Sequence, residues 1–225
     1  MEQTNDILIV TGGTVRKEFL QEFVDKKKPQ VVIAVDGGLK IVDELKLSVD
    51  LIVGDFDTIE QEIINKYKKL AFEKDSGYPK ILEFQPEKDN TDTDIAIKKA
   101  LELNPKQIFI VGATGTRLDH TIANIHLLRQ SIGKQVSVSI YDEHNKIYLA
   151  NSGFVIKKAE QYGKYVSFLP LTETVNNLTL TGFKYPLLNR TVGIGTSLCI
   201  SNEIIDDIAK VEFTDGILMV METVD

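Results

Sequence analysis

Four aspartates lie in two short clusters whose residue types suit chemistry on phosphate groups. Asp55 and Asp57 follow an apolar run, and Asp89 and Asp92 lie just before a helical pattern. Carboxylates this close repel one another unless a divalent cation or a bound substrate neutralises them. Oxygen ligands without neighbouring histidine or cysteine favour Mg²⁺, which usually joins a few protein carboxylates to the phosphates of a nucleotide. The clusters therefore predict phosphoryl transfer.

Simpler roles account for only part of this pattern. Asp92 could cap the helix that follows it, and Asp94 suits the first turn of that helix because acidic side chains complement the helix dipole there. Capping does not explain Asp89, which precedes the helix. Asp55 and Asp57 are two residues apart in a predicted loop, so both can point at a common centre. We therefore interpret both clusters as ligand-binding.

Two glycine-containing turns follow the first two apolar runs. Gly12 and Gly13 could hold phosphate on their amides, although they lack the lysine of a P-loop and the spacing of a dinucleotide fingerprint; a tight turn is the alternative. Asp36, Gly37 and Gly38 end the second run. There the aspartate could equally cap the next helix, and the glycines could simply permit the turn. Their position at strand ends favours a ligand-binding role.

A third turn, over residues 112–120, follows another apolar run and opens a helical pattern. A strand-to-helix turn of this kind presents backbone amides and the positive end of the helix dipole to an anion. Arg117 suits a polyphosphate, because a guanidinium group can grip two oxygens at once. His120 has two interpretations: a general acid or base, or a helix-start residue packed under the turn, and we favour the second.

The turns follow short, continuous apolar runs that are separated by amphipathic helical patterns. This order is typical of parallel strands covered on both faces, and it predicts an α/β fold with a doubly wound, mainly parallel sheet. The polar turns then line up along the carboxyl ends of the strands, where such sheets bind ligands. The runs are Ile7–Val10, Val31–Val35, Leu51–Val53, Ile108–Val111 and Val136–Ile140.

From Lys146 onward the apolar residues alternate in short stretches separated by Gly, Pro and Asn. This change of period predicts a smaller, all-β, sandwich-like domain. We predict the boundary in residues 142–145, which gives an α/β nucleotide-binding catalytic domain over residues 1–145 and a β-rich domain over residues 146–225. The alternating stretches include Lys164–Leu169, Leu178–Thr181, Ser197–Ile200 and Gly216–Val220.

Composition limits the partners and the compartment. The chain has 225 residues and a net charge of −7, which argues against a nucleic-acid groove or an anionic membrane surface. The first residues lack the basic segment of a signal peptide, and no apolar run approaches the roughly 20 residues of a membrane span. The predicted location is the cytoplasm. Cys199, the single cysteine, is predicted to be a packed, inert thiol.

Taken in order, these motifs resemble those of the thiamine pyrophosphokinase family. The resemblance implies an α/β catalytic domain, a β-rich domain that helps to bind thiamine, and a homodimer with active sites at the subunit interface. The implied reaction moves the pyrophosphoryl group of ATP to the hydroxyethyl oxygen of thiamine and releases AMP. The motifs that carry the resemblance are Asp36–Gly38, Gly54–Asp57, Asp89–Asp92, Gly112–Gly115, Arg117–His120, Asn124, Leu169–Leu171, Gly182–Leu187 and Ser201–Glu203.

The resemblance also implies a role for each site residue. Asp92 is the candidate acceptor for the hydroxyl proton of thiamine, and Arg117 steadies the polyphosphate. Ser201 and Asn202 contact thiamine from the β-rich domain. The implied Mg²⁺ ligands, which also position the hydroxyl, are Asp55, Asp57, Asp89 and Asp92. The residues expected to bind the nucleotide are Gly12, Gly13, Asp36, Gly37, Gly38, Thr114, Gly115, Arg117, Asp119 and His120.

Three features depart from the family pattern. Thr116 stands where the family commonly has a glycine, so a β-branched side chain enters the phosphate loop. Thr58 stands where the family commonly has serine, and it keeps the hydroxyl. Some relatives stack a tryptophan on the vitamin, and this chain contains no tryptophan.

Two other functions fit part of the pattern. Residues 55–59 loosely resemble the nucleophile motif of haloacid-dehalogenase-like phosphatases, in which the first aspartate forms a phosphoenzyme. That motif normally follows the first strand of its domain, whereas here it follows the third predicted strand. The other alternative is a non-catalytic nucleotide sensor, which release of AMP from ATP would exclude.

Overall fold

The structure is a computed structural model that describes residues 5–57, 59–73, 78–85 and 89–225. The chain divides into two compact units, one formed by residues up to 131 together with 135–142, the other by residues 132–134 and 143–225. Within the described ranges, no helix is long and apolar enough to cross a membrane.

A six-stranded parallel sheet forms the centre of the first unit, in the order β4-β3-β2-β1-β5-β6. Its strands are β1 Ile7–Val10, β2 Val31–Val35, β3 Leu51–Gly54, β4 Lys80–Glu83, β5 Gln107–Val111 and β6 Ser137–Tyr141. The first strand pairs with both β2 and β5. The strand order therefore reverses between β1 and β5, and the cleft outside such a switch point is where open α/β sheets bind ligands.

In the part of the chain that the structure describes, five α-helices connect these strands, and a 3₁₀ turn at Leu128–Ser131 follows the last of them. Leu20 and Phe23 form the buried stripe of α1, and the Phe23 ring lies 5.6 Å from that of Phe109 and 5.0 Å from that of Tyr141. This packing fixes the first helix against β5 and β6. The helices are α1 Lys17–Lys27, α2 Gly38–Glu44, α3 Gln61–Glu73, α4 Asp92–Glu102 and α5 Leu118–Leu127.

The second unit contains two four-stranded antiparallel arrangements, β12-β9-β14-β7 and β11-β10-β13-β8. Side chains from both share one apolar core, in which the rings of Phe168 and Phe183 meet edge to face at 5.4 Å. The predicted sandwich-like architecture is confirmed. The strands are β7 Asn145–Ala150, β8 Phe154–Lys157, β9 Tyr165–Pro170, β10 Thr174–Thr181, β11 Leu187–Gly193, β12 Asn202–Glu203, β13 Ile208–Glu212 and β14 Leu218–Thr223.

One predicted strand is wrong. Ser197–Ile200 forms a turn, in which the N–H of Ile200 donates to the carbonyl of Ser197 at 3.3 Å. The alternating pattern arises because Cys199 is buried while Leu198 and Ile200 are exposed. Burial raises the pKa of the Cys199 thiol, as expected for an inert, packed cysteine.

A buried ion pair lies in the second unit. Lys146 Nζ is 2.6 Å from Glu222 Oε1, and the Glu222 side chain is only 1% exposed. The second carboxylate oxygen of Glu222 accepts the backbone N–H of Tyr162 at 2.6 Å. Both oxygens therefore have partners, which a buried carboxylate requires.

Candidate active site

A cleft of about 860 Å³ lies at the carboxyl ends of the parallel strands. Segments after β1, β2, β3 and β5 line it, together with the start of α4. The predicted site residues on its walls are Gly12, Gly13, Asp36, Gly37, Asp55, Asp89, Asp92, Thr114, Gly115, Arg117 and His120. The sequence motifs thus converge on one cleft at the switch point of the sheet.

Backbone hydrogen bonds join the glycine turn after β1 to the turn after β5. The N–H of Gly13 donates to the carbonyl of Gly112 at 2.8 Å, and that of Thr14 to the carbonyl of Thr114 at 3.0 Å. A Cβ on Gly13 would lie 2.2 Å from the Gly112 oxygen, so only glycine permits this approach. The two turns form one wall of the cleft.

Of the two glycines after β2, one faces the cleft and the other serves packing. Gly37 lines the cleft. Gly38 is buried, and a Cβ there would lie 2.2 Å from the carbonyl oxygen of Val10. Gly38 therefore lets the start of α2 lie against β1.

Two side chains support the turn after β5. The sequence did not indicate this supporting role for either of them. Thr114 Oγ1 donates to Asp142 Oδ2 at 2.8 Å, and Asn124 Nδ2 donates to the carbonyl of Ala113 at 2.8 Å. Gly112 adopts a left-handed φ of 77°, which glycine adopts at little cost. Thr116 lines the cleft without a left-handed φ, so its β-branched side chain is compatible with the backbone there.

Arg117 and Asp119 form an exposed, two-point ion pair at the start of α5. Arg117 Nε is 3.2 Å from Asp119 Oδ1, and Nη2 is 2.6 Å from Oδ2. Hydrogen bonding from the guanidinium holds the pKa of Asp119 at about 2. Asp119 thus orients the planar fork of Arg117. His120 is exposed on the cleft wall, so packing under the turn, our favoured expectation, is wrong.

Asp36 and Asp92 share a hydrogen bond at the acidic wall. Partial burial, that hydrogen bond and the charges of Asp92 and Asp55 raise the pKa of Asp36 to about 7, against a smaller lowering effect of the Phe56 N–H. The side chain of Asp36 lies over Gly54, where a Cβ would come within 2.0 Å of Oδ1. Its Oδ1 atom is buried and has no hydrogen-bond partner.

The loop after β3 presents Asp55 and Asp57 differently. The backbone N–H of Asp57 donates to Asp55 Oδ1 at 3.1 Å, and the buried ring of Phe56 anchors the loop. Asp55 lines the cleft, whereas the exposed Asp57 is not among its lining residues. Thr58 lies outside the described residues.

The N-terminal cap of α4 is Thr91, whose side chain accepts the N–H of Asp94 at 3.2 Å. A capping role for Asp92 is therefore wrong, because Asp92 is the first residue of the helix. Its half-buried carboxylate reaches the cleft instead. Thr91 therefore occupies the capping position, and the Asp92 carboxylate hydrogen-bonds with Asp36.

Two domain models of one family match this chain. The catalytic domain of thiamin pyrophosphokinase matches residues 24–141, and its vitamin B1 binding domain matches residues 153–218. The chain belongs to the thiamine pyrophosphokinase family.

Individual relatives agree with the family assignment. Thiamine pyrophosphokinase of Bacillus subtilis is 38% identical over 172 residues, which cover 76% of this chain and 77% of that protein. A crystal structure of the Bacillus subtilis enzyme superposes with a TM-score of 0.84 at 34% identity, covering 98% and 99% of the two chains. The Geobacillus thermodenitrificans structure gives 0.81 at 33% identity, covering 98% of each.

The family's second matched domain contains the two predicted thiamine contacts. Ser201 is exposed and has a left-handed φ of 55°. Asn202 is buried, and its side chain accepts the N–H groups of Tyr185 and Glu203 at 3.0 and 2.9 Å and donates to the Tyr185 carbonyl at 2.8 Å. Asn202 thus shapes the adjoining backbone.

Among the described residues, no group of three or more His, Cys, Asp and Glu side chains is arranged to hold a metal ion. The site is nevertheless compatible with Mg²⁺, because this ion is usually held by one or two carboxylates together with substrate phosphates and water. Asp36 Oδ1 is buried without a hydrogen-bond partner, and the charges of Asp92 and Asp55 act on the Asp36 carboxyl. A cation at this place would relieve the repulsion between these carboxylates.

Proposed function

We propose that this protein is a thiamine pyrophosphokinase, which transfers the pyrophosphoryl group of ATP to the hydroxyethyl oxygen of thiamine and releases AMP. The observation that carries the proposal is the cleft at the switch point, which glycine-containing turns and aspartates line together in a chain of this family. Release of AMP and thiamine diphosphate in equal amounts from ATP and thiamine would test it.

The glycine-rich wall suits a polyphosphate. Arg117 is the N-cap residue of α5, and its side chain makes no hydrogen bond to the first turn of the helix. The positive end of the helix dipole can therefore face an anion. The guanidinium is already oriented by Asp119. It can therefore grip phosphate oxygens with a preformed fork, which lowers the entropic cost of binding.

The aspartate wall would hold Mg²⁺ and place the thiamine hydroxyl. Asp55 and Asp92 line the cleft beside Asp36, and we propose Asp57 and Asp89 as further ligands once nucleotide is bound. When bound, the ion supplies positive charge that neutralises the polyphosphate during transfer. We propose that the Asp92 carboxylate accepts the hydroxyl proton as the oxygen attacks the β-phosphorus.

Thiamine is cationic through its thiazolium ring, so an acidic wall also complements the vitamin. The match of residues 153–218 to a vitamin B1 binding domain supports thiamine binding by the second unit. We propose that Ser201 supplies a direct contact and that Asn202 holds the neighbouring backbone in shape, because its amide group is already hydrogen-bonded.

We also propose a homodimer with active sites at its interface. None of the ten residues of α5 is buried, although several are apolar. Leu118 and Ile122, one turn apart, are 70% and 53% exposed, so a second copy could cover this face. A cytoplasmic location stays a prediction that rests on sequence.

Mixed subunits would test the shared site. Asp57→Asn chains and chains with Ser201→Ala and Asn202→Ala should each be inactive alone. Heterodimers of the two should recover activity, because one of their two sites combines undamaged halves. Differential tagging must show that heterodimers form, and inactive tagged heterodimers would refute a site shared between subunits.

The phosphatase alternative receives no support from the comparisons. It requires a phosphorylated Asp55, whereas direct transfer to thiamine does not. Acid-quenched reactions with labelled ATP should contain no phosphorylated protein, and a stable label on Asp55 would favour the alternative.

A further inference from the structure

A buried aspartate that the proposed chemistry does not use, Asp94, lies in the first turn of α4. The Asp94 side chain is 12% exposed. Its Oδ1 accepts Gln130 Nε2 at 2.7 Å, and its Oδ2 accepts Lys98 Nζ at 3.0 Å. Burial of a carboxylate is costly unless such partners compensate.

Lys98 connects this carboxylate to the wall of the cleft. The same Nζ donates to Asn90 Oδ1 at 3.0 Å. Asn90 lines the cleft next to Asp89 and two residues before Asp92. The ammonium therefore ties the segment that carries two predicted metal ligands to the body of α4.

Gln130 connects Asp94 to the end of α5. It lies in the 3₁₀ turn that directly follows α5, the helix that begins after Arg117 and whose Asn124 holds the turn after β5. Asp94 consequently receives one hydrogen bond from Lys98 of its own helix and one from the turn after α5.

We propose that Lys98 and Asp94 are positioning residues for the reaction: acting through Asn90, they hold the segment 89–92 at the distance from the phosphate turn that transfer requires. This inference rests on the proposed function. The effect is geometric, since misplacement of reacting groups by about 1 Å can lower rates on the order of 100-fold.

An ordinary helix-surface ion pair is the competing explanation, because Lys98 and Asp94 are also spaced i, i+4. Such pairs stabilise a helix weakly and do not affect chemistry. The same helix offers a matched control, since Lys99 pairs with the exposed Glu102 at 2.9 Å.

The experiment compares Lys98→Met, Lys98→Arg, Asn90→Ala, the Lys98→Met/Asn90→Ala double variant and the control Lys99→Met. Initial rates of AMP formation give kcat and KM for ATP at saturating thiamine. Lys98 is exposed, so Lys98→Met should fold, and melting temperatures verify this for every variant.

We expect kcat/KM to fall on the order of tenfold in Lys98→Met, as for loss of a residue that orients ligands, and to stay within about twofold in Lys99→Met. Lys98→Arg should recover most of the loss. The double variant should be no slower than Asn90→Ala, because coupled residues act through one another.

Equal rates for Lys98→Met and Lys99→Met would overturn the proposal, and so would multiplicative losses in the double variant. Failure of the proposed function itself gives a different result, because the unaltered protein would then release no AMP.

Discussion

Replacement of Asp36 by asparagine should remove a pH dependence of stability that the metal-free protein carries. The pKa of Asp36 is raised from 3.8 to about 7, first by burial and then by the hydrogen bond to Asp92. The unfolded chain releases this proton near pH 4, while the folded chain keeps it to near pH 7. Because the folded state binds more protons in that window, the contribution of Asp36 to stability falls as pH rises from about 4 to about 7.

The size of the effect follows from the pKa shift. A shift of about three units corresponds to ~4 kcal/mol if fully expressed, and solvent screening of this half-buried group reduces it to roughly 2 kcal/mol. Asparagine mimics the protonated side chain and tolerates the left-handed φ of 42° at this position. The free energy of unfolding of Asp36→Asn, relative to that of the unaltered protein, should therefore increase by about 2 kcal/mol as the pH rises from 4.5 to 8.

Urea unfolding in the presence of EDTA at several pH values measures this difference directly. Asp25→Asn is the control, because it removes an exposed carboxylate from α1. A stability difference between Asp36→Asn and the unaltered protein that stays constant with pH would refute the raised pKa of Asp36.

Substitutions in the cleft should impair catalysis or ATP binding, and a substitution in the buried ion pair of the second unit should lower stability. Asp57→Asn and Asp89→Asn should each lower kcat at least about 100-fold with unchanged melting temperature; normal turnover in both would remove them from the metal site. Arg117→Lys should weaken ATP binding about tenfold by calorimetry and leave thiamine binding intact, because the planar fork is lost, and unchanged ATP affinity would contradict its role. Lys146→Met should lower the free energy of unfolding in urea by about 3–5 kcal/mol, since it leaves the buried Glu222 carboxylate without its cation. Lys157→Met removes one partner of an exposed pair and should lower it by less than about 1 kcal/mol.

The sequence predicts the parallel strands well because they are continuous, buried and apolar, as in Ile7–Val10. It does not predict β4, Lys80–Glu83, whose residues are exposed or half-buried at the edge of the sheet and carry charges at both ends. At Ser197–Ile200 the sequence instead predicts a strand that does not form. This turn buries only Cys199, and its apolar residues alternate as they would in a strand.

The cleft was predictable because polar turns at the ends of parallel strands must meet at one edge of the sheet. The contacts that support the cleft could not be predicted from the sequence. Asp94 meets Gln130 across 36 positions of sequence, and Thr114 meets Asp142 across 28. Such pairs depend on the packing of two helices or loops, which no local pattern encodes. The raised pKa of Asp36 likewise follows from burial and from the approach of Asp92.

We propose that this protein transfers an intact pyrophosphoryl unit from ATP within this cleft. ATP labelled at both the β- and γ-phosphorus, mixed with thiamine, Mg²⁺ and the purified protein, tests it most directly. We predict that both labels appear together in thiamine diphosphate and that the AMP released is unlabelled. Labelled inorganic phosphate with ADP, or label in thiamine monophosphate, would contradict it.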